Sequence, residues 1–420
     1  MSTTGQTMSI GKFIGCTMLI IGSSIGAGIL ALPLVTAGPG VVASIITIFP
    51  FWILLTITGF LVIEANLALP KESCSYGSMA EKILGNSGKV FTWISYLFLL
   101  YSTVLMYMAG ETSLIVNSIE MVTNYKVPSW LASTTFTLLL GAAVFWSTAV
   151  VDHFNRSFLS VKGFLLFATL ALVLPQIDIN TLIASHNTGQ AKYLLAAAPV
   201  FITIFHYHFV VPSLRIYIGD KPTELKWIIF TGTTVSLVIY LLWVIANLGA
   251  IPPTGPNSFA NFASLPGDPD LGDFITLAKS ALNNKWITTC INSFFNISMT
   301  TSFLGVSLGL FDFLADGFRR PNTRLGRFQT AGLTFIPPFI FTIFYPKAFM
   351  LGMSYASSFI AILFIILPAL MVYRLRKNPK LQSSYRTIFG NKITTIIIGI
   401  LGVILCILPI LKNLHLLPKY

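Results

Sequence analysis

Eleven apolar stretches, each long enough to cross a bilayer as a helix, alternate along this chain with short polar segments. They run over 10–36, 41–69, 90–119, 130–150, 158–176, 193–217, 227–250, 286–313, 327–345, 349–374 and 393–411. A transmembrane helix needs about 20 mostly apolar residues, so the pattern predicts an all-α integral membrane protein with about eleven spans. Trp130, Trp227 and Trp286 open three of them, at the level where interfacial tryptophans belong. Two connections are more than turns. Segment 70–88 has room for a short amphipathic helix with Met79, Ile83 and Leu84 on one side. Segment 251–285 opens with Pro252, Pro253, Gly255 and Pro256 and carries Asp268, Asp270 and Asp273. Its second half, 273–282, predicts a short helix over one mouth of the bundle. No soluble module interrupts the pattern, so 1–420 reads as a single transmembrane domain.

Charge fixes the orientation. A cytoplasmic N-terminus puts 19 of the 26 lysines and arginines in cytoplasmic segments and 7 on the other side. Basic loops stay inside, so the N-terminus is expected in the cytoplasm and the C-terminus outside. Only 10% of residues are charged, against roughly 25% in an ordinary soluble domain. The net charge of +12 makes no nucleic-acid patch, because the basic residues sit between apolar stretches rather than in one run. The expected partner is the lipid bilayer. Cys16, Cys74, Cys290 and Cys406 are too scattered for a disulfide framework or a metal site, and no cofactor motif is present. The first apolar run carries no charge between Lys12 and Glu64, far beyond the ~7–15 residue core of a cleaved signal peptide. The mature chain is expected to begin near Met1.

The first stretch contains Gly22-Ser23-Ser24-Ile25-Gly26-Ala27-Gly28, followed by Pro33. Each glycine costs a helix about 1 kcal/mol relative to alanine. Non-helical backbone at membrane depth survives only where protein buries it or it lines a polar cavity. An unwound segment bares N–H groups at the start of the next half-helix, which suits a carboxylate. Close helix packing through Gly22 and Gly26 is the alternative reading. The sixth stretch carries Phe205-His206-Tyr207-His208-Phe209 and then Pro212. A shift of 179 residues lays Phe205 on Gly26 and Pro212 on Pro33. An interrupted helix then opens each five-span half, as in transporters built from inverted repeats with a midplane site. The repeats would cover about 10–176 and 193–374, with an extra helix at 393–411. Four ionisable residues are placed inside spans: Glu64, Glu111, His206 and His208. Charge at that depth is costly and marks function.

At these residues the chain resembles the hydroxy and aromatic amino acid permeases, and within them the bacterial tyrosine- and tryptophan-specific permeases. The marks are Ile25-Gly26-Ala27-Gly28-Ile29-Leu30-Ala31-Leu32-Pro33 and Thr301-Ser302-Phe303-Leu304-Gly305-Val306-Ser307-Leu308-Gly309-Leu310-Phe311-Asp312. Pro199-Val200, Pro212-Ser213, Phe335-Ile336-Pro337-Pro338 and Tyr345-Pro346 add to them. The resemblance implies a LeuT-type fold of two inverted five-helix repeats plus one helix. It also implies proton-driven symport across a bacterial inner membrane. In one place the chain departs from the family, which reads Phe-Gly-Phe-His-Gly at the sixth-span break. Here His206 and Phe209 replace both glycines, and their bulk narrows the pocket.

The expected function is import of an aromatic amino acid, tyrosine ahead of tryptophan, by alternating access. The carboxylate would meet N–H groups from Ser24 through Ile25, Gly26 and Ala27 to Gly28. The amino group would meet carbonyls near Gly22, Ser23 and the second break, and Phe205, Tyr207 or Tyr107 would flank the ring. His208 is the expected proton carrier, since histidine titrates near neutrality, with Glu64 next in order. Thr301 and Ser302 are a possible sodium site. Lys12 and Asp312 are expected to pair as an inner gate. Three other readings stay open: a serine, threonine or other neutral amino acid as substrate, sodium as the coupling ion, and, behind both, a channel or a membrane enzyme. A channel would show a charge ring, and an enzyme would show a cluster of nucleophile, base or metal ligands; the chain displays neither.

Overall fold

The computed structural model describes residues 8–73, 75–146, 148–265, 269–379, 381–414 and 416–417. Met1, Cys74 and Asp268 lie outside the described residues. Every regular element among those described is helical. The first span is α1 (Ile10–Ser24) and α2 (Ala27–Thr36), bent by 51° where they meet. Then come α3 (Val41–Leu67), the short α4 (Tyr76–Leu84), α5 (Asn86–Thr123), α6 (Ser129–Trp146) and α7 (Thr148–Val173). After the connecting α8 (Ile179–Thr188), the sixth span is split into α9 (Leu194–Thr203) and α10 (Val211–Ile218). It is followed by α11 (Pro222–Ala250), two loop helices α12 (Phe259–Ala263) and α13 (Leu271–Leu282), α14 (Lys285–Gly317) and α15 (Arg324–Phe344). A π turn at Ile362–Ile366 joins α16 (Phe349–Ala361) to α17 (Leu367–Lys377) as one span, and α18 (Lys392–Asn413) ends the bundle.

Among the described residues, nine helices are long and apolar enough to cross a membrane, and the bent first pair makes a tenth. The eleventh expected span is α15. Its 21 residues suffice in length, but Arg327, Gln329 and a Pro337-Pro338 pair dilute its apolar run. The polar segment 151–157 was expected as a connection; it is helical and belongs to α7, because it contains no glycine or proline to stop the helix.

Both predicted loop helices form, and their caps explain where. The Ser75 hydroxyl accepts from the Ser78 N–H at 3.2 Å, and Gly85 ends α4 at φ +87°. Asp270 and Asp273 make a reciprocal capping box at the start of α13. Outward-facing side chains are apolar. On α18, Ile397, Ile400, Ile404 and Ile407 are exposed while Ile398, Gly402, Leu405 and Leu408 are buried. Such an outer face belongs in lipid rather than water.

The ends of α3, α10 and α17 are tied on the basic-rich face. Glu64, fully buried, accepts from Arg376 Nε at 2.7 Å, from Arg376 Nη2 at 2.8 Å and from the Thr387 N–H at 2.8 Å. Arg215 on α10 donates to the Asn66 carbonyl, to Asn66 Oδ1 at 3.2 Å and to the Leu69 carbonyl at 2.8 Å, capping the end of α3. Its Nε holds Asp220 at 2.8 Å, and that bond keeps the Asp220 carboxyl below its usual range.

Candidate substrate site

The first break is two residues long. Ile25 leaves the helix at φ −80°, ψ 80°, and Gly26 follows at φ −123°, ψ −145°. The N–H of Ala27 therefore faces no carbonyl of a preceding turn. The Tyr107 hydroxyl on α5 lies in polar reach of it and of the Ser302 side chain on α14. A Cβ on Gly26 would stand 3.4 Å from the Tyr107 oxygen and 3.8 Å from Ser302 Oγ. Gly26, Ala27, Tyr107 and Ser302 thus converge on one point at the start of α2, where the helix dipole favours an anion. A methyl at 26 would meet both oxygens at ordinary contact distance, so glycine there leaves room for a ligand rather than for packing.

The two breaks touch. A Cβ on Gly28 would lie 2.7 Å from Ile204 Cγ2 and 3.2 Å from Ile204 Cα, so this glycine lets α2 pack on the backbone that ends α9. Gly22 meets nothing within 4 Å, which removes it from the helix-packing reading. Ser23 Oγ donates back to the Ile20 carbonyl at 2.8 Å, while the buried Ser24 hydroxyl has no partner among the described residues.

The second break has no glycine and is closed by its own neighbours. Tyr240 donates to the Ile204 carbonyl at 2.7 Å, and His206 Nδ1 contacts the Thr203 carbonyl. The chain then makes a 3₁₀ turn over Tyr207–Val210. Its rings face the scaffold instead of the first break. Phe205 packs edge-on against Tyr240 with ring centroids 5.3 Å apart. Tyr207 donates to the Leu55 carbonyl at 3.1 Å, against Gly59. His208 is fully buried between the Tyr207 and Phe364 rings, at 4.5 and 5.2 Å, with Nε2 2.8 Å from Thr58 Oγ1. Phe364 sits in the π turn of the tenth-span region, a local irregularity of the kind that often marks functional positions.

Lys162, near the start of the fifth apolar stretch, is a buried residue of α7 whose Nζ donates to the Ile25 carbonyl at 2.5 Å. It is thus a further ionisable residue within the bundle, and it occupies a carbonyl at the first break. Its signal was legible as a single charge inside the apolar run 158–176. Thr301 Oγ1 donates to its own helix, to the Ile297 carbonyl at 2.8 Å, and Ser302 is engaged by Tyr107. Glu64, second in line as proton carrier, is instead saturated by Arg376 and Thr387. Nor do Lys12 and Asp312 pair. Lys12 Nζ sits 4.5 Å above the Tyr217 ring, and the charge acting on Asp312 is that of Arg327.

Two cavities open on the basic-poor face. One, of about 430 Å³, lies between α2, α9 and α16 and is lined by Leu34, Ala196, Phe262, Met350 and Ser354. The other, of about 770 Å³, is lined by Thr112, Ser113, Asn117, Asp270 and Asp273. Burial, and then the neighbouring Asp273, pushes the Asp270 carboxyl above its usual range.

Residues 9–409 match the tryptophan/tyrosine permease family. The chain is 31% identical to a tryptophan-specific transport protein of Pseudomonas aeruginosa (strain UCBPP-PA14), over 97% of each. It is 30% identical to tyrosine-specific transport system 1 of Haemophilus influenzae, over 97% of this chain and 98% of that one. It is also 28% identical to the low affinity tryptophan permease of Escherichia coli K12, over 96% of each. Among solved structures it superposes on the crystal structure of MhsT in complex with L-phenylalanine, with TM-score 0.59 and 14% identity, over 97% of this chain and 99% of that one. The fold is LeuT-type, as the sequence marks imply.

Proposed function

The chain belongs to the tryptophan/tyrosine permease family, and from that premise we propose that it is a proton-coupled symporter importing tyrosine in preference to tryptophan. The observation carrying this reading is the convergence of Gly26, the Ala27 N–H, Tyr107 and Ser302 at the broken first span. A zwitterionic amino acid presents its carboxylate to that point, displacing the Tyr107 hydroxyl from the N–H or sharing it. Preference for the single ring of tyrosine is supported by His206, whose imidazole replaces a hydrogen atom beside the second break.

Coupling to protons rather than sodium is supported by Lys162. A second cation beside its ammonium group would be repelled, and the Ile25 carbonyl already has a donor. The two repeats over 10–176 and 193–374, the extra helix at 393–411, and a bacterial inner membrane with the N-terminus inside complete the proposal.

The test is counterflow and gradient-driven uptake of labelled tyrosine, tryptophan, serine and threonine in proteoliposomes. Tyrosine should exchange and should accumulate on a pH gradient without sodium. Serine or threonine accumulating where tyrosine does not would overturn the substrate, and an absolute need for sodium would overturn the coupling.

A further inference from the structure

Glu111 is a buried carboxyl group that neither the fold nor the substrate point uses. It stands four residues beyond Tyr107 on α5, so the two side chains leave the same helix face one turn apart. The residue is 3% exposed. Thr300 Oγ1 lies 3.4 Å from its Oε1, and Oε2 has no partner among the described residues. Charged groups on the surrounding helices are Asp270 just before α13, Asp273 and Lys279 on it, Lys285, Asp312 and Asp316 on α14, and Arg324 and Arg327 on α15. On α5 itself there are Lys89 and Glu120, while α6 and α16 carry none. No ion pair joins any of these to Glu111 among the described residues. Asp273 is held by Lys347, Asp270 by Ser113, Lys89 by Glu81, and Arg327 by the Val144 and Phe145 carbonyls. An ionised carboxylate at Glu111 would be a buried charge with one long hydrogen bond, a costly arrangement.

A polar seam leads to it. Asn292, Asn296 and Thr300 follow one another at four-residue spacing on α14, a single stripe down the helix. Asn292 bonds Ser118 of α5 at 3.0 Å, Asn296 bonds Asn292, and Thr300 meets Glu111. The stripe begins near the basic-poor end of both helices. Thr112 and Ser113, next to Glu111 in the chain, line the 770 Å³ cavity on that face. Lys162, the other buried titratable group near the site, has its acceptor in place and faces the break rather than this cavity.

We propose that Glu111 is the proton-binding site of the transport cycle, loaded along the Asn292–Asn296–Thr300 seam from the face that the charge bias makes external. This rests on the symport reading above. The step is a simple protonation: the carboxylate takes up a proton from the external medium by way of the seam, the substrate binds one turn away, and both are released on the other face.

The experiment uses the full chain in proteoliposomes, with labelled tyrosine and a pH-sensitive dye, comparing wild type with Glu111→Gln, Glu111→Asp and Lys162→Met. A pH difference of about one unit, with no membrane potential, should drive about tenfold accumulation at one proton per substrate. Glu111→Gln should fall to about onefold and lose substrate-induced proton uptake, while slowed counterflow persists; Glu111→Asp should recover part of both. If wild type takes up no protons with substrate, the symport reading itself fails. If wild type does and Glu111→Gln matches it, or if only Lys162→Met uncouples, the assignment to Glu111 fails alone. Loss of counterflow in both the Gln and Asp variants would make Glu111 a structural residue and overturn the proposal as well.

Discussion

Replacing Glu64 by alanine takes away a carboxylate that receives three donors, two from Arg376 and one from the Thr387 N–H. Removing one partner of a buried pair costs about 3–5 kcal/mol, because the other charge is stranded. The two sides of this pair differ. The Glu64 side chain is 1% exposed and that of Arg376 is 25% exposed. Water can reach an orphaned guanidinium, so Glu64→Ala should destabilise by about 2–3 kcal/mol, below the fully buried figure. Arg376→Ala leaves the carboxylate with a single backbone donor, and its cost should reach about 3–5 kcal/mol. The double variant should cost about 2 kcal/mol less than the sum, as groups in one network do. The assay is equilibrium unfolding of the detergent-purified protein, all four members of the cycle under one set of conditions. Losses additive to within about 0.5 kcal/mol would refute the pairing and return Glu64 to the list of titrating residues.

Tyr107→Phe should insert and fold normally, since the ring stays buried, but weaken tyrosine binding by about tenfold through loss of one hydrogen bond of ~1.5 kcal/mol at the α2 N-terminus; substrate-induced thermal stabilisation measures it, and unchanged affinity would remove the hydroxyl from the site. Gly28→Val should cost about 1–3 kcal/mol of overpacking against Ile204 and abolish uptake, whereas Gly26→Ala, whose Cβ meets only the Tyr107 and Ser302 oxygens at 3.4 Å or more, should cost little stability and still lose uptake. Equal stability losses at both positions would argue that the two glycines do the same job.

The first break was legible because three glycines and two serines have no reason to crowd the middle of an apolar helix. The second was legible from His206, His208 and Pro212, but not the direction of its rings. Side chains in a non-helical segment follow no period, so Phe205, Tyr207 and His208 could be placed at the right depth and still be assigned to the wrong partner. Glu64 was placed inside its span, yet its partner Arg376 is 312 residues further along the chain, beyond the reach of any local pattern. Lys162 was legible as a charge inside an apolar run, but its acceptor, the Ile25 carbonyl, lies 137 residues away in the chain. Tyr107 was expected beside the substrate ring, and its place against Gly26 and Ser302 depends on three helices that no local pattern brings together.

The fastening of α3, α10 and α17 to one another has a mechanical meaning. Opening a path to the basic-rich face requires some inner helix ends to swing away from others. Three of them, drawn from both halves of the chain, meet at Glu64 and Asn66 on α3 and at Leu69 just beyond its end. They are fastened to one another as a unit. α1 is bent from α2 by 51° at Ile25–Gly26, takes part in no ion pair on that face among the described residues, and touches α10 through Lys12 over the Tyr217 ring. The shared fastening makes these three helix ends a strut on the basic-rich face.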